Sequence, residues 1–566
     1  MKKRLITSAL PYVNNVPHMG HIVGCHLPAD IFNRYSKLKG YDTLFIGGSD
    51  CHGTPALLTA KQLGKSVEEV VSSLHNVHKK IYEKLNISYD IYSRTNSEKH
   101  YEIASEFFND LYEKGYLEES SQRMFYCEEC KMYLPDTFVV GTCPRCASEG
   151  ANGDQCEKCT AVYALEELIN PTCKVCGKTP SIKETKHMFF KLNEVQDKLD
   201  AWLETKKEVF APHVYAEAKR WIKEGLRPRA ITRDVSWGIP VPLKGFEDKV
   251  LYVWFEAPIG YISFTEQAKE GGIKEFWQSE NSEIYNFLGK DNIPFHTVFF
   301  PSMLLANGKY NLSQKVIGLN YLNYEGQKFS KSKKIGVFCN QLLQENDLVD
   351  IDALRGYLTT VIPEQKDTDF KWEEYKSVVN SDLVGKLGNL FNRTLNMANK
   401  NFGGTLTCDL ENTTLTPEDE ELLNAIKTYP QEIENLFENH QFRQAFRRIM
   451  DFASVGNTYL EKTAPWSAIK QENGAEIVNK ILYLCVNLCA SLTIVANPIL
   501  PTSMQKMAHD QLLLNLNFNE KGLWDKASTI ILPKTHKVGA PQPLYARVDD
   551  ERLNALKEFL SVPFEI

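Results

Sequence analysis

The stretch from Leu5 to His21 restricts the fold more than any other part of this chain. Leu5 to Ala9 is an apolar run that reads as a buried strand. Pro11, Asn14, Asn15 and Pro17 punctuate a loop after it, and an amphipathic helix opens near Met19 and runs towards Gly40. A strand, a loop and a helix N-terminus together can hold phosphate, because free backbone N–H groups and the helix dipole face the anion. His18 and His21, spaced i and i+3 around Gly20, can reach one side of the helix start. Two plainer readings stand beside this one. The pair could be half of a metal site, although no third ligand is near in sequence, or two ordinary histidines at a helix start. The phosphate reading gains force only from a second phosphate-handling element downstream.

At 566 residues the chain is too long for one core, and roughly three or four domains are expected. No uninterrupted apolar run is long enough to span a bilayer, so no membrane partner is expected. Met1-Lys2-Lys3-Arg4 is basic, but the apolar run behind it breaks at Pro11, which argues against a signal peptide and for a cytoplasmic address. The net charge of −7 neither advertises nor excludes a nucleic-acid partner, since a local basic face suffices. Of the 14 cysteines, eight fall in four CxxC pairs: Cys127/Cys130, Cys143/Cys146, Cys156/Cys159 and Cys173/Cys176. Each two-residue gap turns both thiolates of a knuckle towards one ion, and eight thiolates suit two closed tetrahedral zinc sites. Such sites have no open coordination position, so they are read as structural rather than catalytic. Disulfides are disfavoured without a secretion signal. Spacing alone leaves the pairing of knuckles open.

In chain order, residues 1–115 alternate strand and helix. Thr43–Gly48 reads as a second strand ending at Asp50, and a helix follows from Thr54 to Leu63. Asp50 lies where a substrate group would be met beyond a strand's carboxyl end, or serves as a helix cap. Gly64-Lys65-Ser66 has the tail of a Walker loop, but Thr59 stands where its first glycine belongs. Residues 116–231 carry the knuckles and interrupt the alternation, which resumes over 232–325. Val250–Phe255, Ile284–Leu288 and Phe295–Phe300 read as strands, the last carrying His296. A hairpin turning at Glu325-Gly326 leads to Lys328-Phe329-Ser330-Lys331-Ser332, a loop able to close over a triphosphate, within a segment 326–375. Residues 376–535 are helical, with Leu383, Val384, Leu387, Leu390, Phe391 and Leu395 as an apolar stripe. Asn389 and Arg393 lie on another face, and Trp466 either packs in a core or stacks a base.

The separated elements His18-Met19-Gly20-His21 and Lys328-Phe329-Ser330-Lys331-Ser332 resemble the paired signatures of class I aminoacyl-tRNA synthetases. With the knuckle insertion and helical C-terminal region, the order over roughly residues 4–535 resembles the methionyl family within that class. The resemblance implies an α/β multidomain chain: a Rossmann-type core with a zinc-knuckle insertion and an all-α anticodon-binding domain. Residues 536–566 would form a tail folding back on the core.

The implied activity is ligation of L-methionine to tRNA(Met), through methionyl-adenylate and pyrophosphate, for initiation and elongation of translation. By resemblance, His18, His21, Lys328 and Lys331 are catalytic, and ATP is held by His18, Gly20, His21, Gly289, Asp291 and Lys331, with Mg²⁺ accompanying it. The methionine site maps onto Leu10, Tyr12, Asp50, Trp254, Ala257, Pro258, Tyr261, Phe295 and His296, with Asp50 pairing the substrate ammonium. Asn389, Arg393 and Trp466 match anticodon-reading positions. Cys143, Cys146, Cys156 and Cys159 would form one zinc site nested inside Cys127, Cys130, Cys173 and Cys176. A monomer is expected.

Some departures stand out: Met19 and Phe329 replace other apolar residues inside the signatures, and Gly385 stands where some members carry Asn. A small-molecule nucleotidyltransferase would share the first signature but needs no RNA-reading domain. A zinc-stabilised RNA-binding protein without catalysis predicts damaged signatures, whereas both histidines and both lysines are present.

Overall fold

The structure, a computed structural model, describes residues 2–134, 138–153, 156, 158–159, 161, 163–329 and 335–564. Strands β1 (Lys3–Ser8), β2 (Asp42–Ser49), β3 (Ile91–Arg94), β4 (Ser282–Gly289) and β5 (Lys315–Leu319) form one parallel sheet in the order β5-β4-β1-β2-β3. Leu5 of β1 lies opposite Ile284 of β4 and Leu44 of β2, so the apolar runs meet in register in the core. Helices Leu27–Lys39 and Gly260–Ala268 pack on this sheet. The strand order reverses between β1 and β4, and in open parallel sheets the crevice at such a reversal receives ligands.

The first helix opens at Met19, passes through a five-residue π turn at Ile22–His26 and ends at Lys39, where Gly40 adopts φ 104°. Two expected strands are helical instead. Val250–Leu251 pairs briefly with Thr232–Arg233, after which Val253–Glu256 turns into helix. Phe295–Phe299 is a π turn running into helix Phe300–Asn307. A short apolar run buried on all sides reads the same in either state. Pro258 and Pro301 sit in first helical turns, where proline's fixed φ favours the helix.

Between β3 and β4 an antiparallel arm, Leu117–Cys127 against Ser181–Phe190, carries the knuckles at its far end. A small three-stranded sheet there buries Phe125, Leu134, Val139, Tyr163 and Leu168 among the cysteines. That core is too small to stand without a cross-link or a metal.

The C-terminal region is a helical bundle of Asn389–Phe402, Pro417–Glu438, Phe442–Thr463 and Gly474–Ala496. Leu383, Leu387, Leu390, Phe391 and Leu395 are buried and Val384 is half-buried. Gly474–Ala496 is long and apolar enough to cross a membrane, yet it lies mostly buried as the bundle's central helix. The last helix, Asp550–Leu560, packs against the segment after the lysine loop, where the Phe338 N–H donates to the Leu560 carbonyl at 2.9 Å.

Candidate active site

At the sheet reversal a cavity of about 460 Å³ is lined from β1's end by Ala9 and Leu10 and from the helix start by His18, Gly20 and His21. Gly289 and Asp291 line it from β4's end, with Tyr321, Lys328 and Phe329 completing it. His18 caps the helix, its Nδ1 accepting from the Gly20 N–H at 3.1 Å, while His21 Nδ1 accepts from the His18 N–H at 3.1 Å. With both Nδ1 atoms accepting, each neutral ring carries its proton on Nε2, a donor suited to a phosphate oxygen. The ring centres lie 3.9 Å apart. Gly20 is required by close approach, since a Cβ there would lie 2.8 Å from His18 Cε1 and push the ring off its cap.

Met19 is buried and its N–H donates to the Val337 carbonyl, so the chain beyond the lysine loop is tied to the helix start. Phe329 stacks on His18 at 4.5 Å with planes 12° apart. Both replacements within the signatures are thus packing residues. Lys328 is exposed at the cavity edge, whereas Lys331 lies outside the described residues. Asp291 is exposed and accepts from the Tyr321 hydroxyl.

The expected methionine residues fall into connected groups along the loop after β1. Trp254 Nε1 donates to the Tyr12 hydroxyl, and the Trp254 and Phe295 rings meet at 4.4 Å. Tyr12 pairs through its backbone with Asp50. Tyr261 and His296 are joined at 2.9 Å, and His296 Nδ1 donates to the Asn292 carbonyl at 3.0 Å. That fixes the tautomer, so His296 Nε2 accepts from the Tyr261 hydroxyl. Burial pushes His296 down to about 4, leaving the ring neutral at physiological pH. Leu10 approaches Gly260, where a Cβ would come within 3.2 Å of Leu10 Cδ1. Ala257 is buried and Pro258 half-buried on the helical turn between Trp254 and Tyr261.

Asp50 does not cap the helix that follows; Gly53 holds that place. Its carboxylate is buried and Oδ1 has no hydrogen-bond partner among the described residues. Burial first, and Glu256 second, push it well above the usual carboxylate range. A buried, unsatisfied carboxyl of this kind is completed by a cation.

Beneath it lies a network that the sequence reading missed. Glu256 is wholly buried, its two oxygens meeting His52 Nδ1 at 2.9 Å and His100 Nε2 at 2.7 Å. His52 and His100 are held in turn by Tyr101 and Ser263. Burial raises the Glu256 carboxyl, but the two imidazoles outweigh it and hold it below its ordinary value. The one sequence signal was Glu256's position between Trp254 and Ala257.

The knuckles gather in nested fashion: Cys127, Cys130, Cys173 and Cys176 form one cluster and Cys143, Cys146, Cys156 and Cys159 the other, each with all sulfurs within 4.8 Å. Sγ separations include 3.4 Å for Cys127–Cys176, 4.0 Å for Cys130–Cys173 and 3.7 Å for both Cys143–Cys159 and Cys146–Cys156. A tetrahedral zinc with bonds of about 2.3 Å has sulfur–sulfur edges of about 3.8 Å, so both donor sets fit it. The Lys178 N–H pulls the Cys176 thiol down to about 7, and the Ser148 hydroxyl pulls Cys156 down to about 6. Burial pushes the Cys130 thiol in the opposite direction, up to about 12, so within the clusters the thiols differ in how readily they lose a proton.

On the helical bundle, Arg393 stands 5.3 Å over the Trp466 ring and 3.6 Å from Glu461, with Asn389 one turn earlier bonded to Asn457. Trp466 is 46% exposed, which rules out core packing. An exposed indole beside a guanidinium and an amide has the chemistry on which unpaired bases can stack and hydrogen-bond.

The family model described as tRNA synthetases class I (M) matches residues 4–395, and the anticodon binding domain of methionyl tRNA ligase matches residues 411–562. A methionine–tRNA ligase of Bacteroides fragilis (strain YCH46) is 40% identical over 554 residues, covering 98% of this chain and 80% of the relative. One from Porphyromonas gingivalis (strain ATCC 33277) is 40% identical over 555 residues, with the same shares of each chain. The Mycobacterium tuberculosis methionyl-tRNA synthetase in complex with methionyl-adenylate shares the fold with a TM-score of 0.79 at 23% identity, over 97% of this chain and 100% of that one.

Proposed function

Because this chain belongs to the class I aminoacyl-tRNA synthetases, in their methionyl family, we propose that it ligates methionine to tRNA(Met) through the residues described above. What supports this best is the closeness, at the end of β1, of the crevice capped by His18 and His21 to the Tyr12–Trp254–Phe295 aromatic group and the buried Asp50 carboxyl.

In the first step the methionine carboxylate attacks the α-phosphorus of ATP, and the bond to the β-phosphate bridge breaks to release pyrophosphate. The carboxylate is already a nucleophile, so no strong base is needed; positioning and charge stabilisation carry the rate. Asp50 pairs the substrate ammonium. The aromatic rings suit a thioether, and the Tyr261–His296 pair offers a polar contact that favours sulfur over an all-carbon side chain. Leu10, Ala257 and Pro258 shape the pocket wall. The Nε2–H groups of His18 and His21 meet phosphate oxygens, Gly289 and Asp291 take the adenosine side, and Lys328 with Lys331 offsets the developing charge. Mg²⁺ enters with the ATP phosphates.

In the second step a hydroxyl oxygen of the tRNA's terminal ribose bonds to the methionyl carbonyl carbon. The carbonyl–phosphate bond breaks, and AMP leaves with the electron pair and the hydroxyl proton. Asn389, Arg393 and Trp466 read the anticodon. Zinc, held by the two cysteine clusters, would fix the insertion's fold. The working unit is a single chain in the cytosol.

ATP–pyrophosphate exchange with each amino acid tested separately is the deciding measurement. Methionine should support it, and exchange with leucine or cysteine but not methionine would overturn the reading. Lys331→Ala should slow adenylate formation by about 100-fold or more, the scale of a lost charge contact in the transition state, with methionine binding nearly unchanged. An equal loss of binding would place that lysine in the amino-acid pocket.

A further inference from the structure

Glu256 ends the helical turn Val253–Glu256, which carries Trp254 of the aromatic group. Its wholly buried carboxylate accepts through Oε1 from His52, two residues beyond Asp50 at the end of β2, and through Oε2 from His100, on helix Glu98–Glu113. Hydroxyls hold the far nitrogens: Tyr101 lies 3.0 Å from His52 Nε2, and Ser263 lies 2.9 Å from His100 Nδ1. Between Asp50 and His52 the chain is pinned on both sides. The Cys51 N–H donates to Thr95 Oγ1 at 2.9 Å, and the Cys51 carbonyl accepts from Trp237 Nε1 at 2.7 Å. On its other side Asp50 is fixed to the loop after β1, its N–H donating to the Pro11 carbonyl at 2.9 Å.

A carboxylate can accept from both imidazoles at once, whereas a glutamine offers one acceptor oxygen and sets its amide N–H₂ against the second ring. Burying such a charge is unfavourable unless both oxygens are bonded, and here the two histidines bond them without any substrate group. What the bonds join is the segment bearing Asp50 and the turn bearing Trp254, the two ends of the methionine site. We propose that Glu256 is a positioning residue: acting through His52, it sets the distance between Asp50, at the ammonium, and the Trp254 wall, at the thioether, and so the length of side chain the site accepts. The inference rests on the ligase reading above and adds a residue that touches neither substrate.

Glu256→Gln, His52→Gln and the two together are compared with the unaltered chain in pyrophosphate exchange, using methionine and its S-ethyl homologue, one methylene longer. Glu256→Gln should raise KM for methionine about tenfold or more, the scale of a misplaced site, while KM for ATP stays within about twofold. The kcat/KM preference for methionine over the homologue should fall severalfold, because one methylene is worth about 10–200-fold only against a fixed wall. The double variant should match the poorer single one within about twofold, since the pair acts as one device. Should Glu256→Gln show no cooperative unfolding transition, Tyr101→Phe, which removes only the hydroxyl on His52, carries the test. Its changes should have the same signs, with KM for methionine up about threefold. An unchanged preference, equal rises in both KM values or additive losses would overturn the proposal while leaving the ligase reading standing. So would a lowered KM for methionine, which would show Glu256 bearing on Asp50 as a like charge and no more. Absence of methionine-dependent exchange in the unaltered chain would overturn both.

Discussion

At Asp50 a buried carboxyl keeps one oxygen without a hydrogen bond among the described residues, while the wholly buried Glu256 lies close enough to raise it. The folded protein therefore holds the Asp50 proton more tightly than the unfolded chain, whose value is about 3.9. The stability tied to that proton is full below the unfolded value and is lost as pH rises through the folded one. The ligand-free protein accordingly bears a cost at neutral pH, which the substrate ammonium would relieve under the proposed pairing. Asp50→Asn should raise the unfolding temperature of the ligand-free protein by roughly 2 °C at pH 8, with a smaller gain at pH 5. Exchange at subsaturating methionine should fall about 100-fold or more, since a buried charge loses its partner. Calorimetry and exchange on one preparation check this; a lowered unfolding temperature with exchange retained would contradict it. The sequence made Asp50, His18 and His21 legible because each follows a strand end within a short span. It could not show the His52–Glu256–His100 network, whose bonds join residues 204 and 156 positions apart. Only folding puts those partners in contact.

At the scale of elements, the antiparallel arm decides how the knuckles pair. Leu117 faces Phe190 at its base and Tyr126 faces Ser181 near its end, so Cys127–Cys130 and Cys173–Cys176 are brought together while the two middle pairs close on themselves. Sequence spacing gave ligands but no register, and register is what discriminates nested from sequential pairing. The same blindness to context produced the two misread strands, where apolar residues buried in helical turns carried no helical stripe. Substituting Cys127 and Cys176 together by serine should remove about one zinc of two per chain, because both belong to one cluster. Sequential pairing would place them in different sites and cost both ions. Zinc released to a chromogenic chelator after thiol modification gives the count. The catalytic sheet shares no strand with the arm, so methionine-dependent exchange should survive better than resistance of the insertion to proteolysis.

Across the whole molecule, Arg355 joins regions far apart in the chain. It is fully buried, and its guanidinium donates to Asp30 at 2.7 Å, to the carbonyls of Leu85 and Asn86 beside the sheet's helices, and to the carbonyls of Pro498 and Ile499 at the end of the bundle's central helix. One side chain thus satisfies groups from the sheet region and the helical bundle at once, an arrangement invisible to any local pattern. Burial pushes Asp30 up, but Arg34, Arg355 and Ser88 together hold it below the usual carboxylate value. Its stabilising contribution is therefore present above the unfolded value of about 3.9 and is lost as pH falls through the folded one. Arg355→Met keeps the length but removes the charge and five donated bonds, leaving Asp30 with Arg34 and Ser88. Breaking a buried pair from one side costs about 3–5 kcal/mol. The variant should lose cooperativity between the α/β region and the bundle, so that calorimetry at pH 7.5 resolves an early transition where the unaltered chain shows a later, more unified one. The deficit should narrow as pH falls through the lowered folded-state value of Asp30, where the carboxylate takes up its proton and the ion pair is lost in the unaltered chain too. A single transition at the original temperature would show that carbonyl and apolar contacts, rather than this guanidinium, bind the anticodon-reading bundle to the catalytic sheet.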